Sequence, residues 1–228
     1  MIVYAVDTGG EYIDLAESQR RYPSGQRSIY LNITNRCPCA CTFCLRSMKR
    51  MAAETSLWLK REPKVSEVLE ELEVVPWPLI NEVVFCGFGE PTMRLSDMVT
   101  ILHWLRREHP AVKTRVNTTG LSDLIYQRDT AADFAGGILD TISISLNASN
   151  AARYLELTRS QFGERSYEAM LDFARRCKAY VPDVVMTVVD QVENPEEIAA
   201  CRAICEERGL SLRVRPYEAV PGSAMELY

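Results

Sequence analysis

The stretch NRCPCACTFCLR, residues 35–46, sets Cys37, Cys39, Cys41 and Cys44 within eight positions. In a chain that lacks the look of a small secreted scaffold, cysteines this crowded read as metal ligands or redox groups rather than disulfides. The histidines, His103 and His109, are too few for a His-rich metal site. Zinc is one candidate for the loop, since it accepts four thiolates. Structural zinc sites, however, usually draw ligand pairs from two separated segments. Four ligands in eight residues, with Pro38 stiffening the chain, would strain a tetrahedron. Four other stretches hold polar or glycine residues suited to a site. They are Gly87-Phe88-Gly89-Glu90-Pro91-Thr92, Asn117-Thr118-Thr119-Gly120, the set Ser143, Ser145 and Asn147, and the pair Arg213 and Arg215. Each alone reads as a turn or a strand end.

The elements that must position these residues alternate. Strands are expected at about 28–34, 81–86, 112–117, 139–147, 182–190 and 210–216, from β-branched cores bounded by turn residues. Helical patterns are expected at 41–53, 64–74, 94–108, 165–180 and 194–208. The last is the clearest, with Asn194 as cap, Pro195 in the first position, Glu197 in the first turn and Gly209 beyond the end. Residues 1–27 form an N-terminal segment that can make a strand pair, and 28–228 form the main domain. Six β/α alternations imply a parallel sheet with right-handed crossovers. In such sheets the site forms at the C-terminal ends of the strands. All five suggestive stretches fall there, so their convergence points to a single site.

Composition bounds the partners. The net charge of −5 and pI near 5.3 give no electrostatic footprint for coating nucleic acid or an anionic membrane. No apolar run approaches a membrane span, and MIVYAVDTGGEY has no signal-peptide pattern, so the chain reads as cytoplasmic. Cys201 and Cys205 share an apolar helix face with Ile198, and Cys177 continues the stripe Tyr167, Met170, Ala174, so these three read as core. Cys86, at a strand end beside Gly87, stays open between packing and the site.

Cys37, Cys41 and Cys44 have C-x3-C-x2-C spacing with an aromatic, Phe43, before the last cysteine. With the Gly-Glu-Pro turn after the second strand, this resembles the radical S-adenosylmethionine (SAM) enzymes over residues 28–216. The resemblance implies an α/β fold, a partial (β/α)6 TIM-type barrel with parallel strands. It also implies a [4Fe–4S] cluster held by Cys37, Cys41 and Cys44, with Cys39 as a spare turned away by the bend at Pro38. Thiolates are the usual cluster ligands. In the family, the iron left without a protein ligand chelates SAM. Reductive cleavage then yields a 5′-deoxyadenosyl radical that abstracts hydrogen from substrate.

The same resemblance assigns cofactor contacts to Phe43, Gly87, Gly89, Glu90, Asn117, Thr118, Ser145, Asn147, Val188 and Arg215. Phe88 stands where the family commonly has glycine and is expected to point away. Glu90 suits either an ammonium group or a tie to the cysteine loop. Asn147 has capping of the next helical turn as its bland alternative. Val188 is expected against adenine, with core packing as the alternative. Arg215 is expected on a carboxylate or phosphate of SAM or substrate.

LNITNRC, TFCLR, FCGFGEPT, RVNTTGL and ISISLNA together look most like the small radical SAM proteins linked to TatD-type hydrolases, a group without an established substrate. The short segment after the sixth strand reads as leaving no room for further clusters of the SPASM kind. Expected partners are a small-molecule or macromolecular substrate, an electron donor such as flavodoxin or ferredoxin, and a TatD-type hydrolase. Alternatives are a glycyl-radical-enzyme activase, a 7-carboxy-7-deazaguanine-synthase-like enzyme, and a metal-bound module without catalysis.

Overall fold

β-branched runs separated by amphipathic stretches produce an eight-stranded sheet with its helices packed against one face. The computed structural model describes residues 1–48 and 56–217. In chain order the elements are β1 (Val3–Val6), β2 (Tyr12–Ile13), α1 (Leu15–Arg21), β3 (Arg27–Leu31), α2 (Leu45–Met48) and α3 (Val65–Glu73). Then follow β4 (Ile80–Phe85), α4 (Leu95–Glu108), β5 (Lys113–Thr118), α5 (Ser122–Tyr126), β6 (Thr141–Ser145) and α6 (Ala151–Thr158). The chain continues through α7 (Arg165–Cys177), β7 (Asp183–Val189), α8 (Pro195–Glu207) and β8 (Ser211–Arg215).

The strand order is β2-β1-β3-β4-β5-β6-β7-β8. From β3 to β8 every neighbouring pair is parallel, and each strand lies beside the next in sequence. Crossovers that always step the same way, with the right-handed connection that parallel strands favour, put the helices on one face and let the sheet curl about the other. The result is a mostly parallel α/β fold of the partial-barrel kind. β1 joins the edge antiparallel to β3, with Tyr4 opposite Tyr30, and β2 pairs antiparallel with β1. The N-terminal segment therefore extends the same sheet.

Period-two alternation sorts the two faces. Ile29, Leu31, Val83, Phe85, Val116, Ile142, Ile144, Met186 and Val188 are fully buried toward the helices. They meet Val68, Leu72, Met98, Leu102, Met170 and Phe173 in one core, joined by Cys177, Cys201 and Cys205. Each such side chain contributes roughly 1.5–3 kcal/mol on burial. The concave face instead carries Ser28, Glu82, Arg115, Ser143 and Arg213.

The start of α8 is as expected. The Asn194 side chain accepts from Glu197 N at 2.8 Å, Pro195 follows, and Gly209 adopts φ +64° after the end. The helix expected at 41–53 is α2 over 45–48, and residues 49–53 lie outside the described residues. The helix α6 is additional to those the sequence pattern predicts. Among the described residues, no helix is long and apolar enough to cross a membrane.

Candidate functional site

The cysteine loop leaves β3 and is tied down at both ends. Asn35 holds Leu59 reciprocally: its Nδ2 donates to Leu59 O at 2.7 Å, and Leu59 N donates to its Oδ1 at 3.0 Å. Arg36 pairs with Glu62 at 2.7 Å. Farther on, Ala40 N donates to Thr158 O and Thr42 N to Leu157 O, both at 2.9 Å, while Gln161 N donates to Pro38 O at 3.0 Å. The last carbonyls of a helix have no donors within it. Here the loop supplies donors to the end of α6, which Arg159 terminates in the left-handed region at φ 47°.

This anchoring turns Cys37, Cys41 and Cys44, all half-buried, into a cavity of about 230 Å³, with Phe43 on the same wall. Cys39 is only 4% exposed and belongs to the core. Its thiol is hydrogen-bonded to Cys37 and Cys41, which raises its own pKa and holds theirs below the ordinary thiol range. Burial pushes the Cys44 thiol up. Among the described residues, no three Cys, His, Asp or Glu side chains are gathered to hold a single metal ion.

The GFGEP turn after β4 packs directly on the cysteine loop. A Cβ at Gly89 would stand 2.2 Å from Thr34 O and 2.8 Å from Arg36 O, and one at Gly87 would stand 2.1 Å from Asn32 Oδ1. Both positions admit only glycine: Gly89 is closed in by backbone, and Gly87 by the buried Asn32 side chain. Glu90 is also on the cavity wall, though only 3% exposed, and four protein donors reach its carboxylate. Oε1 accepts from Thr92 N (3.1 Å), Thr92 Oγ1 (2.7 Å) and Thr118 Oγ1 (2.7 Å), and Oε2 accepts from Thr119 N (2.6 Å). Glu90 N donates to Arg36 O at 2.8 Å. This geometry makes the tie, and Glu90 also stands on the cavity wall where the ammonium reading would put it. Phe88 departs from expectation. It lines the cavity, packing among Tyr4, Tyr12 and Leu57 with Trp58 edge-on at 5.4 Å.

Asn117, Thr118, Ser145 and Arg215 also line the cavity. Thr119 lines it as well, and the buried oxygens Asn117 Oδ1 and Thr119 Oγ1 have no hydrogen-bond partner among the described residues. Val188 does not reach it. Alternation turns Val188 to the helices, fully buried, and puts Val189 on the cavity wall. Two residues after Ser145, which would share its face on a continuing strand, Asn147 lies instead beyond the end of β6 in the left-handed region at φ 61°, buried and off the cavity wall. The helix cap there is Asn150, which accepts from Arg153 N at 3.0 Å. Cys86 lines the cavity, its carbonyl accepting from Tyr4 Oη at 3.4 Å.

Sequence reasoning missed Tyr4, Tyr12, Thr119 and Val189. Thr119 sat inside a flagged turn. Val189 could have been found from the alternation of β7, had Val188 been read as core. Tyr4 and Tyr12 come from the hairpin, which no local motif ties to the cysteine loop. The donor set fits an iron–sulfur cluster, with three thiols on one wall, and the polar residues Asn117, Thr118, Thr119 and Ser145 on the same cavity fit a polar cofactor.

The model of the radical SAM superfamily matches residues 31–203. A GTP 3′,8-cyclase from Corynebacterium glutamicum (strain R) is 30% identical over 212 residues, covering 89% of this chain and 53% of that protein. The chain thus spans about half the length of the curated relatives it matches. Streptococcus suis SuiB bound to S-adenosylmethionine superposes with a TM-score of 0.64 at 16% identity, over 91% of this chain and 45% of that one. A radical SAM methyltransferase from Sphaerobacter thermophilus gives 0.56 at 17% identity, over 97% and 74%. These two share the fold. Superfamily members are enzymes whose cofactors are a [4Fe–4S] cluster and SAM. With the family model running from the end of β3 into α8 and the cysteine triad lining the cavity at the strand ends, this chain belongs to the radical SAM superfamily.

Proposed function

We propose that Cys37, Cys41 and Cys44 hold the cluster, that the adjoining cavity holds SAM, and that hydrogen is abstracted from a substrate seated on the concave face of the sheet. One observation carries the reading: Cys37, Cys41 and Cys44 line one cavity together with the polar residues Asn117, Thr118, Thr119 and Ser145. When bound, the cofactors supply a 5′-deoxyadenosyl radical by reductive cleavage of the sulfonium C–S bond. The chain's own residues position and enclose. Asn117 Oδ1 and Thr119 Oγ1 accept from the cofactor's ammonium group, and the hydroxyl of Ser145 serves a polar edge. Val189 and Phe88 offer apolar walls to the adenine ring, and Arg215 faces an anionic group. Gly87, Gly89, Glu90 and Thr118 line the cavity too and keep the turn closed on the cysteine loop.

Anaerobic reconstitution with iron and sulfide, then reduction with SAM, should yield 5′-deoxyadenosine. A protein that instead takes up stoichiometric zinc and yields none of this product would overturn the reading. Reduction in the cell falls to a donor such as flavodoxin or ferredoxin, and eight free thiols suit a cytoplasmic setting.

The substrate has two readings. The match of 89% of the chain to proteins named GTP 3′,8-cyclase makes GTP the first compound to offer. The motif set around LNITNRC supports instead a place among the TatD-linked radical SAM proteins, with a hydrolase as partner. GTP raising the 5′-deoxyadenosine yield favours the first. Co-purification of a TatD-type hydrolase, with no response to GTP, favours the second.

A further inference from the structure

The concave face below the cavity is charged rather than apolar. Alternation along β5, β6 and β8 turns Arg115, Ser143, Arg213 and Arg215 to this side. The register sets Asn117 opposite Ser143 and Thr187 opposite Arg213. Arg115 grips Glu82 with two prongs, Nε at 3.1 Å and Nη2 at 2.8 Å, and Ser28 Oγ donates to the same carboxylate at 3.1 Å. Arg213 has no such counterion. Its Nη2 donates to Ser143 Oγ at 2.9 Å, and among the described residues it forms no ion pair. Partial burial and the neighbouring Arg115 and Arg215 lower its pKa, against the weaker pull of Asp183 and Glu82. It nonetheless remains accessible to solvent.

A guanidinium held by one hydroxyl, with no carboxylate paired to it among the described residues, has spare donors in a fixed fork, the geometry that fits an oxyanion. Arg213 also adjoins the cavity: Arg215, two residues further along β8, lines it, and so does Asn117, the β5 partner of the Ser143 that tethers Arg213.

We infer that Arg213, tethered by Ser143 and flanked by Arg115 and Arg215, is the subsite for an oxyanion of the substrate, a carboxylate or a phosphate. The inference rests on the radical reading of the cavity above and adds to it the substrate's chemical class.

Equilibrium dialysis of the reconstituted full-length protein against pyrophosphate, and separately against citrate, tests it. The wild type should bind one of the two, and the preferred probe names the source as phosphate or carboxylate. Arg213→Gln should weaken that binding about tenfold, as expected for one charge-assisted hydrogen bond. Arg213→Lys should recover part of it, and Ser143→Ala should cost about threefold. Circular dichroism melts confirm which variants are folded, and the lysine variant carries the test if the glutamine variant is not. Failure of the wild type to bind either probe overturns the inference. So does undiminished binding by folded Arg213 variants, or a loss confined to SAM affinity, which would give Arg213 to the cofactor. The radical reading is judged apart, by 5′-deoxyadenosine from the wild type. Probe binding that depends on Arg213, without that product, would keep the subsite and discard the chemistry above it.

Discussion

Cys39 lies two residues from Cys37 and two from Cys41, yet its side chain is packed in the core while theirs open into the cavity. Spacing alone could not rank the four thiols; burial separates one from three. Cys37→Ala, Cys41→Ala or Cys44→Ala should each remove the cluster's visible absorbance and bound iron. Cys39→Ala should keep both and lose about 1 kcal/mol of stability from the small void it leaves. Loss of iron in Cys39→Ala as complete as in Cys41→Ala would mean the triad is wrongly drawn. Gly89 has a different kind of necessity. With Thr34 O at 2.2 Å from an added Cβ, and backbone on both sides, nothing flexible can yield. Gly89→Ala should cost about 3 kcal/mol, the upper end for overpacking. It should also reduce cluster loading by prying the turn from the cysteine loop. An alanine variant that melts and loads iron like the wild type would contradict this.

At the scale of elements, Glu90 links three pieces of chain: the turn after β4, the end of β5, and the cysteine loop through its backbone. Glu90→Gln replaces one acceptor oxygen with a donor facing donors. A buried donor left without an acceptor costs roughly 1–3 kcal/mol. The variant should therefore melt lower and load less iron, whereas Glu82→Gln, remote from that junction, should leave iron loading unchanged. Equal iron loss in both would deny Glu90 its special place. The six parallel strands were legible because their β-branched runs are buried on one face, as in Val184, Met186 and Val188. α6 was not. It is eight residues long and its signal is one capping Asn150 among other polar residues. Yet its last carbonyls hold the cysteine loop. The loop's chemistry was legible in residue types, while its anchoring is a long-range pairing of Ala40 and Thr42 with Leu157 and Thr158 that no local pattern encodes. Asn147 and Val188 show the same limit on a smaller scale, since a strand's end and its phase decide which side chain meets the cavity.

For the whole molecule, the N-terminal hairpin is structurally continuous with the barrel that the family model matches. β1 pairs with β3, Asn32 N donates to Ile2 O at 2.8 Å, and Val3 N donates to Glu71 Oε2 on α3 at 3.1 Å. Tyr4, 2% exposed, stacks on Tyr30 at 5.2 Å and meets Tyr12 edge-on at 5.5 Å. Offset and edge-on aromatic pairs add about 0.5–1.5 kcal/mol each beyond burial. A segment so bound cannot open without exposing Phe88 and Leu57, which share its apolar cluster and line the cavity. The hairpin and the barrel should therefore unfold together. Calorimetry should give one transition coincident with the loss of circular dichroism, and the amides of β1 should exchange as slowly as those of β3. Tyr4→Ala should lower that single transition, costing about 3–5 kcal/mol as large aromatic truncations do. It should also reduce SAM cleavage, because the cavity the thiols open into would lose part of its wall. An early, separate melting of the hairpin, or a Tyr4→Ala protein that cleaves SAM at the wild-type rate, would show the segment to be an appendage rather than part of the site.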